Sequence, residues 1–361
     1  MKINEPVACV LGIVALLGCL VLFTRGEDGE GATPPAPERR KSTLIETVAI
    51  GPEDHCADCH IPETEAWEMS HHAESFRSRH KTAEAKAILD RLGLRSMKRS
   101  DECISCHYTA VDDGRGPQAR FGVSCESCHG AAASWVDVHN RPGGDPRRDA
   151  LRWGDGRKES AEKKATRIHA ARALGMIDSA RTFDLAERCF SCHVVADGTL
   201  IEKGGHPTGQ GFELLSWSQG EVRHSYLSSG KDPMDAMNVA ASPEHRRRLY
   251  VLGVALEIEH TLRGLAGMGD TSTAAGSAIR QRLGEARRKA QAILERVEIA
   301  ELREIVEATP VKDDPAGSSP ELFARVSDAA RRLAEVDGSA LAAIDELLPT
   351  EVVGAVLDPE E

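Results

Sequence analysis

Eight of the ten cysteines in this chain sit in four copies of one five-residue pattern, in which a histidine directly follows the second cysteine. The copies are Cys56-Ala-Asp-Cys59-His60, Cys103-Ile-Ser-Cys106-His107, Cys125-Glu-Ser-Cys128-His129 and Cys189-Phe-Ser-Cys192-His193. Two thiols at this spacing can add to the two vinyl groups along one edge of a porphyrin, and the adjoining imidazole then reaches the iron from one side. That is the attachment pattern of a c-type haem. Four haem c groups are therefore expected, bonded through Cys56, Cys59, Cys103, Cys106, Cys125, Cys128, Cys189 and Cys192, with His60, His107, His129 and His193 as proximal iron ligands. Four Cys-x-x-Cys pairs could instead build two zinc sites of four thiolates each, or serve thioredoxin-like redox chemistry. Zinc has no use for a histidine after every second cysteine, whereas haem needs one each time.

The second axial ligand must come from elsewhere in the chain. Seven methionines are available, of which Met1, Met69 and Met97 lie at the N-terminus or in charged helical surroundings. Outside the motifs the sequence holds ten further histidines, given 14 in all and four in the motifs. The excess favours bis-histidine coordination, which gives lower potentials than His/Met.

The elements that position these groups must be built largely around cofactor. Of 361 residues only 4% are aromatic, and porphyrins would supply large flat apolar bodies for side chains to pack on. The length suits roughly two to three domains. A formal net charge of −12 argues against nucleic-acid binding and fits a face that meets other redox proteins. The composition carries no signal for oligomeric state.

Cys9 and Cys19, the two cysteines outside the motifs, lie in an apolar run from Val7 to Phe23. At ~1.5 Å per residue this run reaches ~26 Å, slightly short of a ~30 Å hydrocarbon core. No small-x-small cleavage site follows, which favours an uncleaved signal anchor over 1–25; a cleaved signal peptide and a lipoprotein with Cys19 lipidated are the alternatives. All three imply export to the periplasm or its equivalent, and haem is attached outside the cytoplasm. Residues 26–50, rich in Gly, Pro, Glu and Arg, read as a flexible tether.

The motifs place a tetrahaem domain over 51–232. Between the third and fourth motifs, Arg141 to Arg172 carries ten Lys or Arg against five Asp or Glu. This reads as a solvated helix and loop, or as arginines for haem propionates. Beyond Ser242 the composition turns to Ala, Glu, Arg and Leu. Ser242-Pro243 and Ser319-Pro320 read as N-caps followed by a first-turn proline, and Ile279, Leu283, Ala286, Ala290 and Ile293 recur at helical spacing. The expected fold class is mainly α, a multihaem c-type domain with little regular sheet followed by a helical bundle over 243–350.

Three segments carry a family resemblance: Trp67-Glu-Met-Ser-His71-His72-Ala73, then Gly122-Val-Ser-Cys125-Glu-Ser-Cys128-His129-Gly130 leading to His139, and Gly220-Glu-Val-Arg-His224. In order and spacing the stretch from Cys56 to His224 resembles the tetrahaem cytochrome c-554 family. The resemblance implies His139 as distal ligand of the first haem, His224 of the third and His72 of the fourth. In the family pattern the second haem is left five-coordinate. Here His80, His169 and His206 are candidates to close it, and His206, in the turn-rich Gly204-Gly-His-Pro-Thr-Gly209, is the one expected to do so. The resemblance does not account for the helices after Ser242.

The expected function is an exported, membrane-tethered electron relay between a redox-protein donor and acceptor. A haem with an open axial position would instead make the protein an enzyme acting on a small nitrogen compound, by nitric oxide reduction or hydroxylamine oxidation. In a third reading the helical tail docks the cytochrome into a larger respiratory assembly.

Overall fold

The computed structural model describes residues 56–112, 115–140, 160–226, 237–309 and 319–356. The expected anchor (1–25) and tether (26–50) lie outside the described residues, as does the basic stretch up to residue 159. None of the described helices is long and apolar enough to cross a membrane.

The fold is mainly α. Each Cys-x-x-Cys-His motif is itself helical, which explains its spacing: one turn places residues i and i+4 on the same face. In the first motif the amide of His60 donates to the carbonyl of Cys56 at 2.8 Å, and α1 (Ile61–Glu68) follows directly. The second motif closes α4 (Asp101–His107), the third forms α5 (Cys125–His129) and the fourth closes α8 (Thr182–His193). Before these come α2 (His71–Glu74), capped by the Ser70 hydroxyl, and α3 (Ala83–Leu92), capped by Thr82 and ended by Gly93.

A single antiparallel ribbon joins the second motif to the third: β1 (Thr109–Asp112) pairs with β2 (Pro117–Phe121), with an irregularity between Thr109 and Ala110. It folds the chain back so that the Thr109 hydroxyl meets those of Ser124 and Ser127 at 2.8 and 2.6 Å, which ties the start of β1 to α5. Immediately before α5, Gly122 lies so close to α2 that a Cβ there would stand 2.3 Å from the His72 carbonyl oxygen. No other residue permits that approach. Next come α6 (Val136–His139), α7 (Ala161–Ala173), which packs on it, and α9 (Leu214–Ser218).

The C-terminal helices are α10 (Pro243–Gly267), α11 (Ala274–Leu294), α12 (Ala300–Ala308) and α13 (Pro320–Leu333), followed by a 3-10 segment, Gly338–Leu347. Ser242 and Ser319 cap α10 and α13 by accepting from the amides of His245 and Leu322, each with proline in the first turn. α10 is apolar around much of its circumference because it is covered on several sides: α8 and α9 on one, α11, α13 and the 3-10 segment on others. One core joins Phe183 and Phe190 of α8 and Leu215 of α9 to Leu256, Ile279 and Val326 of the C-terminal helices. The sequence boundary between 232 and 243 therefore does not coincide with a break in the core. The C-terminal strap continues this union, since the Val353 amide donates to the Ser216 carbonyl and its carbonyl accepts from the Glu221 amide, at 3.1 and 3.0 Å.

Candidate functional site

Every motif histidine faces one other histidine at nearly the same separation. His60 and His139 stand 6.1 Å apart between ring centres, His107 and His206 6.0 Å, His129 and His224 6.1 Å, and His193 and His72 6.2 Å. Two metal–imidazole bonds of about 2 Å, with about 1 Å from each nitrogen to its ring centre, require about 6 Å between ring centres across one metal. These distances fit an iron held between two imidazoles. Among the described residues no group of three or more His, Cys, Asp or Glu could cage a metal, which is what a tetrathiolate zinc site would need. The eight motif thiols are all free of disulfides.

Backbone carbonyls set the tautomer of three rings. Nδ1 of His129 donates to the Ile177 carbonyl, that of His206 to Pro207 and that of His224 to Val222, each at 2.7 Å. A carbonyl only accepts, so Nδ1 carries the hydrogen and Nε2 keeps its lone pair for a metal. Burial holds His107, His139 and His193 down to about 4, reinforced by the facing imidazoles of His206, His60 and His72 respectively. Neutral imidazole is the form that binds metal. His60 departs from this. Burial lowers its basicity, but the Glu63 carboxylate, 3.8 Å from its Nδ1, more than offsets that and the net shift is upward.

The partner rings are held from several elements. Ser75 is buried on the chain after α2, with its hydroxyl 2.7 and 2.8 Å from the carbonyl oxygens of His72 and His107, which ties two rings of different pairs. Trp135 meets His139 edge-on at 5.6 Å, and Arg167 donates to the His139 carbonyl. Asn238, buried, accepts from the Ser225 amide at 2.9 Å and donates to the Arg223 carbonyl at 2.8 Å, bracketing His224. Phe212 stacks on His193 at 4.3 Å and Trp217 lies 5.2 Å away. A cleft of about 280 Å³ between the 210–214 segment and α10/α11 reaches Phe212 and Arg282 but is lined by none of the paired histidines.

The thiols order the four motifs in space. Cys56 of the first stands beside Cys125 of the third. Cys106 of the second hydrogen-bonds Cys192 of the fourth. Cys128 of the third lies close enough to Cys189 of the fourth to help raise it, after burial, to about 12. The motifs thus neighbour one another in the order first, third, fourth, second.

Other candidates fall elsewhere. His169 is exposed on α7, and His80 sits among Lys98, Lys81 and Lys86; neither faces a motif imidazole among the described residues. Met69 is exposed, and Met97 is buried in a cluster with Ile104 and Tyr108 rather than displayed in charged surroundings. Of the basic stretch, Arg167 binds a carbonyl and Arg172 forms a two-pronged pair with Asp178 at 2.7 and 2.9 Å. The bracing residues Ser75 and Asn238 carried no signal in the sequence, because they act on backbone carbonyls and amides that no motif marks.

Residues 55–130 match the family profile described as "Cytochrome c554 and c-prime". The chain resembles the cytochrome c554 family. Cytochrome c-554 of Nitrosomonas europaea is 27% identical over 158 residues, covering 40% of this chain and 57% of the relative. The chain thus spans little more than half the length of that curated relative. The resemblance is to c-type cytochromes, whose covalently bound haem c serves electron transfer. The profile match ends at Gly130, so the fourth motif and the partner histidines His139, His206 and His224 lie beyond it. No solved structure matches the chain.

Proposed function

We propose that this protein is an extracytoplasmic tetrahaem c-type cytochrome that relays electrons between a redox-protein donor and acceptor. The observation that carries this reading is the set of four facing histidine pairs at 6.0 to 6.2 Å, one for each motif. Each haem, when bound, supplies a reversible one-electron iron couple. The eight motif cysteines would hold the four groups through thioether bonds. The pairs His60/His139, His107/His206, His129/His224 and His193/His72 would hold the four irons, and the carbonyls of Ile177, Pro207 and Val222 keep three of these rings presenting Nε2. Phe212 and Trp217 pack against the His193 ring.

The order of the motifs supports a path that enters at one end and leaves at the other, with the first and second haems as termini and the third and fourth between them. Paired imidazoles at every motif leave no axial position for substrate, which argues for carrier over enzyme. The N-terminal apolar segment is the proposed tether to the membrane.

Optical and EPR spectra of the oxidised protein test the proposal. Only low-spin haem is expected, and the reduced protein should bind carbon monoxide poorly. A high-spin haem together with rapid stoichiometric nitric oxide binding by the unmodified protein would replace the relay with an enzyme that acts on small nitrogen compounds.

A further inference from the structure

The helices beyond Ser242 lie outside the family match, yet one of their side chains reaches into the haem region. Arg282 of α11 is buried, with 5% of its surface exposed. Its Nε and Nη2 engage both oxygens of Glu257 on α10, at 2.6 and 2.9 Å. The remaining nitrogen, Nη1, donates to the carbonyls of Thr208 and His193, at 2.6 and 3.0 Å. One guanidinium is thereby held two-pronged by the C-terminal helices and spends its free end on two backbone oxygens. One of these belongs to the motif histidine of the fourth site. The other lies two residues beyond His206, which faces the motif histidine of the second.

The segment carrying His206 is held in part by backbone hydrogen bonds, the His206 amide donating to the Leu200 carbonyl at 2.9 Å and the Val195 amide to the Thr208 carbonyl at 3.2 Å. It is a short turn-rich stretch, and its ends are pinned from opposite sides. Arg91 of α3 donates from Nε and Nη2 to the Gly204 carbonyl at 2.8 and 2.6 Å. At the other end Gly209 has φ +80°, and a Cβ there would stand 2.1 Å from the His193 carbonyl oxygen, so the chain lies directly on the fourth motif. Arg282 locks that contact by binding both carbonyls. A buried guanidinium in a low-dielectric setting must be paired and fully hydrogen-bonded, and here the pairing acid and the carbonyl acceptors come from different parts of the chain.

We infer that Arg282, anchored by Glu257, is a positioning residue through which the C-terminal helices hold His206 over the second haem and so keep that haem closed. This rests on the reading of His206 as an axial ligand. It gives α10 and α11 a role in the redox site: they supply the clamp that keeps the His206 ring facing His107, where it would complete the ligation of the second haem.

The test uses the full-length haem-loaded protein and carbon monoxide as probe, with covalent haem counted by pyridine haemochromogen. Arg282→Gln should keep four haems yet produce a new high-spin signal and a carbon monoxide-binding fraction that rises toward one haem per chain. Arg282→Lys, which keeps the charge and can still donate to both carbonyls, should restore much of the closed state. In the double variant Arg282→Gln/His206→Ala the bound carbon monoxide should not exceed that of His206→Ala alone, because both changes open the same haem. A lowered unfolding temperature in Arg282→Gln with an unchanged spectrum would make the pair structural only and overturn the inference, as would additive carbon monoxide binding in the double variant. If Arg282→Gln loses haem, Glu257→Gln decides: a measurable carbon monoxide-binding fraction supports the clamp, and none overturns it. A spectrum unaltered by His206→Ala would sink the ligand assignment itself, an outcome distinct from an altered His206→Ala spectrum beside an unaltered Arg282→Gln.

Discussion

The imidazole of His107 faces that of His206 with 6.0 Å between ring centres, while Arg282 donates to the carbonyl of Thr208 on the His206 loop at 2.6 Å. The spacing equals that of the other three pairs to within 0.2 Å. Four pairs drawn from different helices and loops share one distance, which matches the spacing that one metal held between two imidazoles would need.

Four covalent haems should appear in the mass of the mature protein. Changing Cys128→Ser should remove one thioether bond, visible as a shifted pyridine haemochromogen band. Tightly bound zinc without haem absorbance would end the haem reading.

Replacing His72, His139, His206 or His224 by Ala should each convert one low-spin haem to high-spin, since the iron loses a strong-field nitrogen. His245, beside Arg248 at the start of α10, and His260, beside Phe190, serve as controls whose replacement should leave the EPR spectrum unaltered. A silent His139→Ala would be the most damaging result, as that ring is the one aligned with its motif partner at an interplanar angle of 13°.

The shared core makes the C-terminal helices part of haem-domain stability. Leu256→Ala, at a fully buried position of α10, should cost about 2–5 kcal/mol of unfolding free energy in denaturant titration. A chain ending at Asp232 would expose Phe190, Leu214 and Leu215 and lose Arg282, and should misligate the second or fourth haem. Retention of four low-spin haems by that chain would establish 51–232 as a self-standing domain.

Glu259, almost fully buried on α10, is raised above its ordinary 4.5 by burial, only partly offset by Arg263 at 2.8 Å. A carboxyl with a raised folded pKa binds more protons folded than unfolded. Its contribution to stability therefore falls as pH rises from the unfolded value through the folded one, and is flat outside that window. Glu259→Gln should remove this component, so the variant's stability relative to the parent should improve as pH rises above 4.5. Equal pH slopes for the two proteins in thermal melts would show that folding leaves the Glu259 carboxyl unshifted.

Local chemistry was legible in the residues alone. Cys-x-x-Cys-His is a code for one helical turn, so its meaning survives without the fold. Ser242-Pro and Ser319-Pro announce helix starts because capping is settled within four residues. The 3.6-residue period likewise made Ile279, Leu283, Ala286, Ala290 and Ile293 one buried face of α11. The list of histidines that could serve as second partners was also readable, and so was the resemblance carried by Gly122 to Gly130.

Which ring faces which motif could be expected from the family resemblance, but residue spacing alone does not fix it, because the tertiary structure brings the rings together. The His72–His193, His129–His224 and His107–His206 encounters depend on elements far apart in the chain, set by the Gly122 approach, the Thr109–Ser124–Ser127 contact and the Arg282 clamp. The same holds for the core that unites α8 and α9 with α10. Periodicity reveals that a helix has an apolar face but not what covers it, and a buried arginine spent on backbone carbonyls leaves no pattern in the sequence, because every residue carries the same carbonyl.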